Sequence, residues 1–326
     1  MRKLIPDDVF IEAWKKHKSA TKVSRELGLH IRSVYKQRAA IEAKSGQLLK
    51  AGAVQPLAAA RKLQVHQHNA SVYLGIENGT VIVFSDAHFW PGVRTTAYRG
   101  LLEVIKMLKP KAVICNGDAF DGASISRHPV GPGVSEWETM PSVLDELKAC
   151  EMSLGEIEDA AKAVNRSVRL VWPLGNHDAR FSSRLAMAAS EFRGVNGFHL
   201  KDHFPQWEPC WACWPTEDLV VKHRWKGGIH ATHNNTVNAG KSFVTGHLHS
   251  LKVTPWTDYT GTRYGVDTGT LSEPYSKQFD YTELNPVNWR AGFAVLTIRD
   301  GQLMVPEVVQ KWDDNHVEFR GELIKV

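Results

Sequence analysis

Five stretches of this chain end a strand-forming run on side chains that can bind metal. Residues 81–84 lead into Asp86 and His88, residues 112–115 into Asp118 and Asp121, and residues 168–174 into Asn176 and His177. Residues 219–222 end at His223, and residues 242–245 run into His247 and His249. Carboxylate oxygens and imidazoles without thiolates suit Mn2+, Fe or Zn2+ better than soft metals. One His at a strand end is ordinarily a hydrogen-bonded loop residue, and Asp and Asn cap helices and turns just as readily. Folding alone does not require ligand-type side chains at five successive strand ends. His230 and His233 compete with His223 for the fourth position, but only His223 directly ends an apolar strand, in LVVKH.

Such an array needs an α/β framework with strand ends on one rim. Residues 167–178, SVRLVWPLGNHD, read as a short buried strand broken by Gly175 just before the Asn-His-Asp cluster. A helix from Thr95, with Tyr98, Leu101, Leu102, Ile105 and Leu108 on one face, joins the strand ending before Asp86 to the strand ending before Asp118. That strand–helix–strand unit implies parallel neighbours. A longer helix is expected over 141–164, with Leu144, Leu147, Leu154, Ile157, Ala161 and Val164 inward, and another after GNHD carrying Phe181, Leu185, Ala188 and Phe192. Residues 72–76 and 80–84, separated by Glu-Asn-Gly, read as a β-hairpin. Residues 251–256, 263–267, 292–298 and 317–325 alternate like antiparallel strands. Residues 194–215 look irregular and Trp-rich, and Trp207, Trp211 and Trp214 suit core packing and loop pinning better than base stacking. Cys210 and Cys213 form one isolated C-x-x-C, and a zinc site would want a second such pair.

Charge divides the chain. Residues 1–62 hold 14 Lys and Arg against 5 Asp and Glu, leaving 26 against 30 for the rest of a chain whose net charge is +5. The basic arm calls for a polyanionic partner. Its sequence reads as three short helices with a Gly28 turn between the second and third, a helix-turn-helix pattern. Arg32, Ser33, Lys36, Gln37 and Arg38 on the third helix are the residue types that reach phosphates and base edges. A three-helix bundle that docks on a protein partner or on the larger domain of the chain is the competing reading. The expected organisation is a helix-turn-helix over 1–46, an Ala-, Gly- and Gln-rich linker over 47–70, and the folded remainder over 71–326. No apolar run is long enough for a membrane span, and the N-terminus lacks a signal-peptide core. The cytosol is the default compartment, the host's if the chain is phage-encoded.

The order DAH, GDAFDG, GNHD, a lone strand-end His and GHLH resembles the calcineurin-like metallophosphoesterase family over about residues 81–270. The resemblance implies an α/β fold, a four-layer α/β/β/α sandwich of two mixed sheets, preceded here by the small all-α N-terminal domain. It also implies two divalent metal ions, Mn2+ foremost, with Fe, Zn2+ or Ni2+ as alternatives. Asp86, His88 and His249 would hold one ion, Asn176, His223 and His247 the other, and Asp118 would bridge them. A hydroxide between the ions would attack phosphorus, His177 would assist the leaving group, and Asp121 would orient His177. The family's protein phosphatases carry an Arg after the second Asp of GDxxD, where this chain has Gly122. Arg127, His128 and Arg180 are the candidate replacements for gripping phosphate.

The resulting expectation is a phosphodiesterase acting on DNA, similar to the family's repair nucleases and to phage or prophage proteins. A homodimer or a recombination or repair protein would be its partner. The alternatives are a phosphomonoesterase or protein phosphatase, a cyclic-nucleotide or other small-molecule phosphodiesterase, and a DNA-binding regulator with a relic domain.

Overall fold

The computed structural model describes residues 5–50, 70–126, 140–192, 194–282 and 285–326. The chain divides into two compact units, Met1–Gln67 and His68–Val326. Most of the expected linker, together with Arg127 and His128, lies outside the described residues.

The first unit consists of α1 (Asp7–His17), α2 (Ala20–Leu27) and α3 (Ile31–Ser45) around a small core of Phe10, Ala13, Trp14, Ala20, Val23, Val34 and Ile41. Three helices are formed where three were expected. Val9, Ile31 and Tyr35 nevertheless face outward, because so small a bundle has only one narrow apolar seam to fill. Arg32, Ser33 and Lys36 are exposed on α3. Gln37 and Arg38 are engaged within the unit: Gln37 Nε2 donates to the Ile5 carbonyl at 2.7 Å, and the Arg38 guanidinium covers the Trp14 ring at 4.6 Å while bonding Glu42 at 2.8 Å.

The second unit begins with β1 (Ser71–Tyr73), β2 (Gly79–Phe84), α4 (Thr96–Leu108), β3 (Ala112–Cys115), α5 (Val143–Val164) and β4 (Arg169–Pro173). Next come α6 (Asp178–Ala188), α7 (Leu200–His203), β5 (Glu208–Cys210), β6 (Ala212–Thr216), β7 (Leu219–Val221), α8 (Ala231–Ala239) and β8 (Ser242–Thr245). The chain closes with β9 (Lys252–Asp258), β10 (Gly261–Asp267), β11 (Gly292–Arg299), β12 (Gln302–Leu303), β13 (Glu307–Lys311), β14 (His316–Phe319) and β15 (Glu322–Lys325).

Two mixed sheets result. One has six strands in the order β1-β6-β7-β8-β10-β9, and the other nine, running β15-β14-β13-β11-β2-β3-β4-β5 with β12 beside β11. Strands β2, β3, β4 and β5 are parallel neighbours, as are β7 and β8. Alternation along β2 divides its side chains between two layers. Val81 and Val83 join Val221, Val244 and Val266 between the sheets, while Ile82 and Phe84 pack with Leu101, Ile105, Leu154 and Ile157 of α4 and α5. Helix α8 covers the outer face of the six-stranded sheet so closely that a Cβ on Gly265 would lie 2.2 Å from the Thr232 carbonyl oxygen.

Several local expectations fail for identifiable reasons. The Asn-Gly turn does not close a hairpin: β1 pairs in parallel with β6 of one sheet, whereas β2 lies between β11 and β3 of the other. Asn78 instead accepts the Asp300 N–H at 3.1 Å, so the turn carries the chain from sheet to sheet. On α5, Leu144 points outward and Cys150 takes an inward place. Helix α6 buries Asp178 rather than an apolar stripe, and Phe192 beyond it is exposed. The stretch expected to be irregular supplies α7, β5 and β6; Trp207 is buried there and Trp211 is not. Cys210 and Cys213 lie in the layer between the sheets as free thiols, Cys210 pushed up to about 12 by burial.

Candidate metal centre

The carboxyl ends of β2, β3 and β4 in one sheet and of β7 and β8 in the other meet along one edge, where all five motifs lie. Asp86, His88 and His249 bring one ligand atom each within 4.8 Å of one another, as do Asp118, His223 and His247. A third such grouping, His88, Asp118 and His177, overlaps both. Asp118 therefore faces ligand sets on two sides. The backbone is held in the left-handed region at Asp86 (φ 52°), His88 (φ 41°), Asp118 (φ 53°), His247 (φ 71°) and His249 (φ 56°). Non-glycine residues rarely adopt that conformation, and its clustering here marks a place where geometry outweighs local backbone preference.

Two close approaches make this crowding feasible. A Cβ on Gly175 would stand 2.0 Å from Asp118 Oδ1, so only glycine lets the turn after β4 meet the end of β3. A Cβ on Gly246 would stand 2.5 Å from Asp86 Oδ2; with glycine there, the His247 N–H reaches that oxygen at 2.8 Å.

The donor atoms suit a hard or borderline cation. His223 donates through Nδ1 to the Asn116 carbonyl at 2.7 Å, which turns Nε2 toward Asp118 Oδ2 at 3.0 Å. That Nε2 is buried and out of hydrogen-bond alignment, as expected when lone pairs converge on a shared cation rather than on each other. Asn176 Oδ1 is likewise buried with no hydrogen-bond partner among the described residues. Without a cation, burial opposes a charge on His223, but the Asp118 and Asp86 carboxylates override it and lift the ring to about 10. A divalent ion would take the place of that proton. Burial opposes ionisation of Asp118 too, yet His223, His177 and His88 hold its carboxyl far below the usual range.

Asp121 Oδ1 lies 2.8 Å from Nδ1 of His177 and 2.8 Å from Nδ1 of His88. It orients both rings, whereas the sequence suggested only His177. Burial disfavours a charged His177, but the Asp121 and Asp118 carboxylates raise its affinity for a proton; at His88 burial prevails and lowers it. Arg180 Nη1 donates to the Asp121 carbonyl at 2.9 Å, and Nη2 stands 3.2 Å from His177 Nε2. His223 is at the centre, while exposed His230 is not and His233 packs on Trp256 at 4.9 Å.

Two carboxylates that sequence reading passed over hold the frame. Asp178 accepts the N–H groups of Asp118, Ala119, Phe120 and Gly175 and the Trp172 indole N–H at 2.8 to 3.1 Å. Glu146 on α5 accepts the Gly122 and Ala123 N–H groups at 2.5 and 3.1 Å. The only available sequence signal was Asp178 completing GNHD; Glu146 carries none.

Residues 79–281 match the model of the calcineurin-like phosphoesterase family. The chain belongs to that family. Membership makes the unit spanning His68–Val326 a metal-dependent phosphoesterase domain, with clusters that could hold the metal. No curated protein matches the chain. Among solved structures, the phosphoesterase domain is similar to Vps29 of Chaetomium thermophilum, at 10% identity and a TM-score of 0.40, over 77% of this chain and 97% of that one. It is also similar to an archaeal phosphodiesterase, at 13% identity and a TM-score of 0.35, over 70% and 99% of the two chains.

Proposed function

We propose that the protein is a two-metal phosphodiesterase whose substrate is DNA. The observation that carries the proposal is the position of Asp118, which groups with His223 and His247 on one side and with His88 and His177 on the other. Asp86, His88 and His249 would hold one ion and Asn176, His223 and His247 the second, with Asp118 serving both. When bound, such ions supply Lewis acidity, neutralising phosphoryl oxygens and making water more acidic.

The remaining work falls to the chain itself. Asp121 fixes His177 through Nδ1, so Nε2, which accepts from Arg180 Nη2 at 3.2 Å, would exchange that bond for the proton it carries toward the departing ester oxygen. Arg180 presents a guanidinium to the same ring and so supplies the positive charge that Gly122 cannot. DNA is favoured over a phosphoprotein by that Gly122 and by the basic first unit, read as a helix-turn-helix that exposes Arg32, Ser33 and Lys36.

A Mn2+-dependent assay comparing single-stranded DNA, duplex DNA, a phosphopeptide and cyclic nucleotides tests the proposal. Cleavage of DNA that stops with chelator supports it. Turnover confined to the phosphopeptide or to cyclic nucleotides would replace DNA with that substrate, and inertness toward all four would remove the activity.

A further inference from the structure

Resting on that reading and narrowing its substrate, we propose that a cleft beside His88 receives one unstacked nucleobase of a single-stranded nucleic acid. A cavity of about 230 Å3 opens between the turn after β2 and the segment after β10, lined among others by His88, Phe89, Trp90, Tyr98, Ser276 and Gln278. His88 also belongs to the ligand groupings, so the cleft and the metal centre share a wall. A phosphodiester held at the centre would therefore place a neighbouring nucleoside in the cleft.

The two walls differ in chemistry. On the first, Phe89 and Tyr98 pack edge to face at 5.7 Å, and half-buried Trp90 stands at the start of a Trp-Pro-Gly-Val turn. That turn is closed by the Val93 N–H on the Trp90 carbonyl at 3.1 Å, with Gly92 at φ 74°. Proline and a positive-φ glycine in its central positions fix the turn, so Trp90 is presented by a rigid support. The Tyr98 hydroxyl is committed to Glu156 at 2.7 Å, leaving that wall essentially a π surface.

The second wall is polar. Ser276 Oγ is sealed from solvent and has no hydrogen-bond partner among the described residues. Gln278 adds an amide that both donates and accepts. Glu273, also in the lining, is paired with Lys311 at 2.9 Å and so does little to repel a phosphate. Thr95 Oγ1 donates to the Leu271 carbonyl and ties the walls together. Aromatic rings and the Gln278 amide lining one cleft suit a nucleobase, which offers a π surface and a donor–acceptor edge. A base stacked on both sides in a duplex cannot enter, which selects single strands or frayed ends.

The test is a fluorescence titration of 2-aminopurine deoxyriboside monophosphate against the full chain in chelator, where no turnover occurs. Saturable quenching is expected, weakened about tenfold by Trp90→Ala and at least threefold by Gln278→Ala. An internal 2-aminopurine should respond in single-stranded DNA and not in duplex. No saturable change, equal affinity in the wild type and Gln278→Ala, or an equal response in duplex overturns the proposal; the Gln278 variant decides if Trp90→Ala fails to fold. Base binding without Mn2+-dependent hydrolysis would sink the activity and leave the cleft. Hydrolysis without base binding would do the reverse.

Discussion

Asp178 grips Asp118 by its backbone: the Asp178 carboxylate accepts the Asp118 N–H at 2.9 Å while the Asp118 side chain points into the metal centre. The same carboxylate takes four further N–H groups, so the ends of β3 and β4 are joined through one buried anion. Asp178→Ala should orphan buried donors, each costing about 1–3 kcal/mol. Destabilisation above about 3 kcal/mol in urea unfolding is expected, with weakened Mn2+ binding. Asp178→Asn should recover little of it, because its NH2 group would meet donors.

His177 and Asp118 should separate chemistry from metal binding. His177→Ala is expected to lower kcat about 10²- to 10⁴-fold while calorimetry still counts two Mn2+ per chain. Asp118→Asn should abolish turnover and reduce the Mn2+ stoichiometry. Near-normal rates in either variant would reject these roles.

Asp121 touches both His88 and His177, so its loss should do more than slow proton transfer. Asp121→Ala is expected to weaken Mn2+ binding about 10- to 100-fold by freeing the His88 ring. If titration calorimetry found unchanged affinity beside a lowered kcat, Asp121 would serve His177 alone.

The five strand ends were legible because metal chemistry restricts residue type and a buried strand restricts hydropathy, and both restrictions appear in local sequence. Partner choice was not. Asn78-Gly79 announces a reversal, but whether β1 then pairs with β2 depends on β6 and β11, more than a hundred residues away. The supporting carboxylates were hidden for a similar reason. Glu146 sits in a helix where an isolated Glu reads as a solvated charge, and only the return of Gly122 and Ala123 to α5 buries it. In α3 the sequence could not separate Arg38, which covers Trp14, from the exposed Arg32 and Lys36.

That difference within α3 makes a prediction of its own. Replacing Arg32 and Lys36 by Ala should weaken DNA binding and reduce the slope of log K against log salt by about 1.8, or about 0.9 per lost phosphate contact. Arg38→Ala should mainly destabilise the first unit by uncovering Trp14 and freeing Glu42. An unchanged salt slope in the Arg32 and Lys36 double variant would turn this unit into a protein-docking module.

Glu146 should give the fold a measurable pH dependence. Burial, reinforced by the Asp121 charge, pushes its carboxyl up to about 7, against the opposing pull of the Gly122 and Ala123 N–H groups. Between the unfolded value near 4.5 and about 7 the folded state therefore binds more protons than the unfolded chain. Its contribution to stability is then fully present below the lower value and is lost as pH rises through the upper one. Glu146→Gln keeps an acceptor for the turn and removes the titration. Urea unfolding in chelator at pH 5 and pH 8 should show the variant losing less stability than wild type between the two, by an amount on the order of 3 kcal/mol. Equal losses would mean that the Glu146 carboxylate is ionised at both pH values and that its backbone N–H donors, Gly122, Ala123 and Ser124, outweigh its burial.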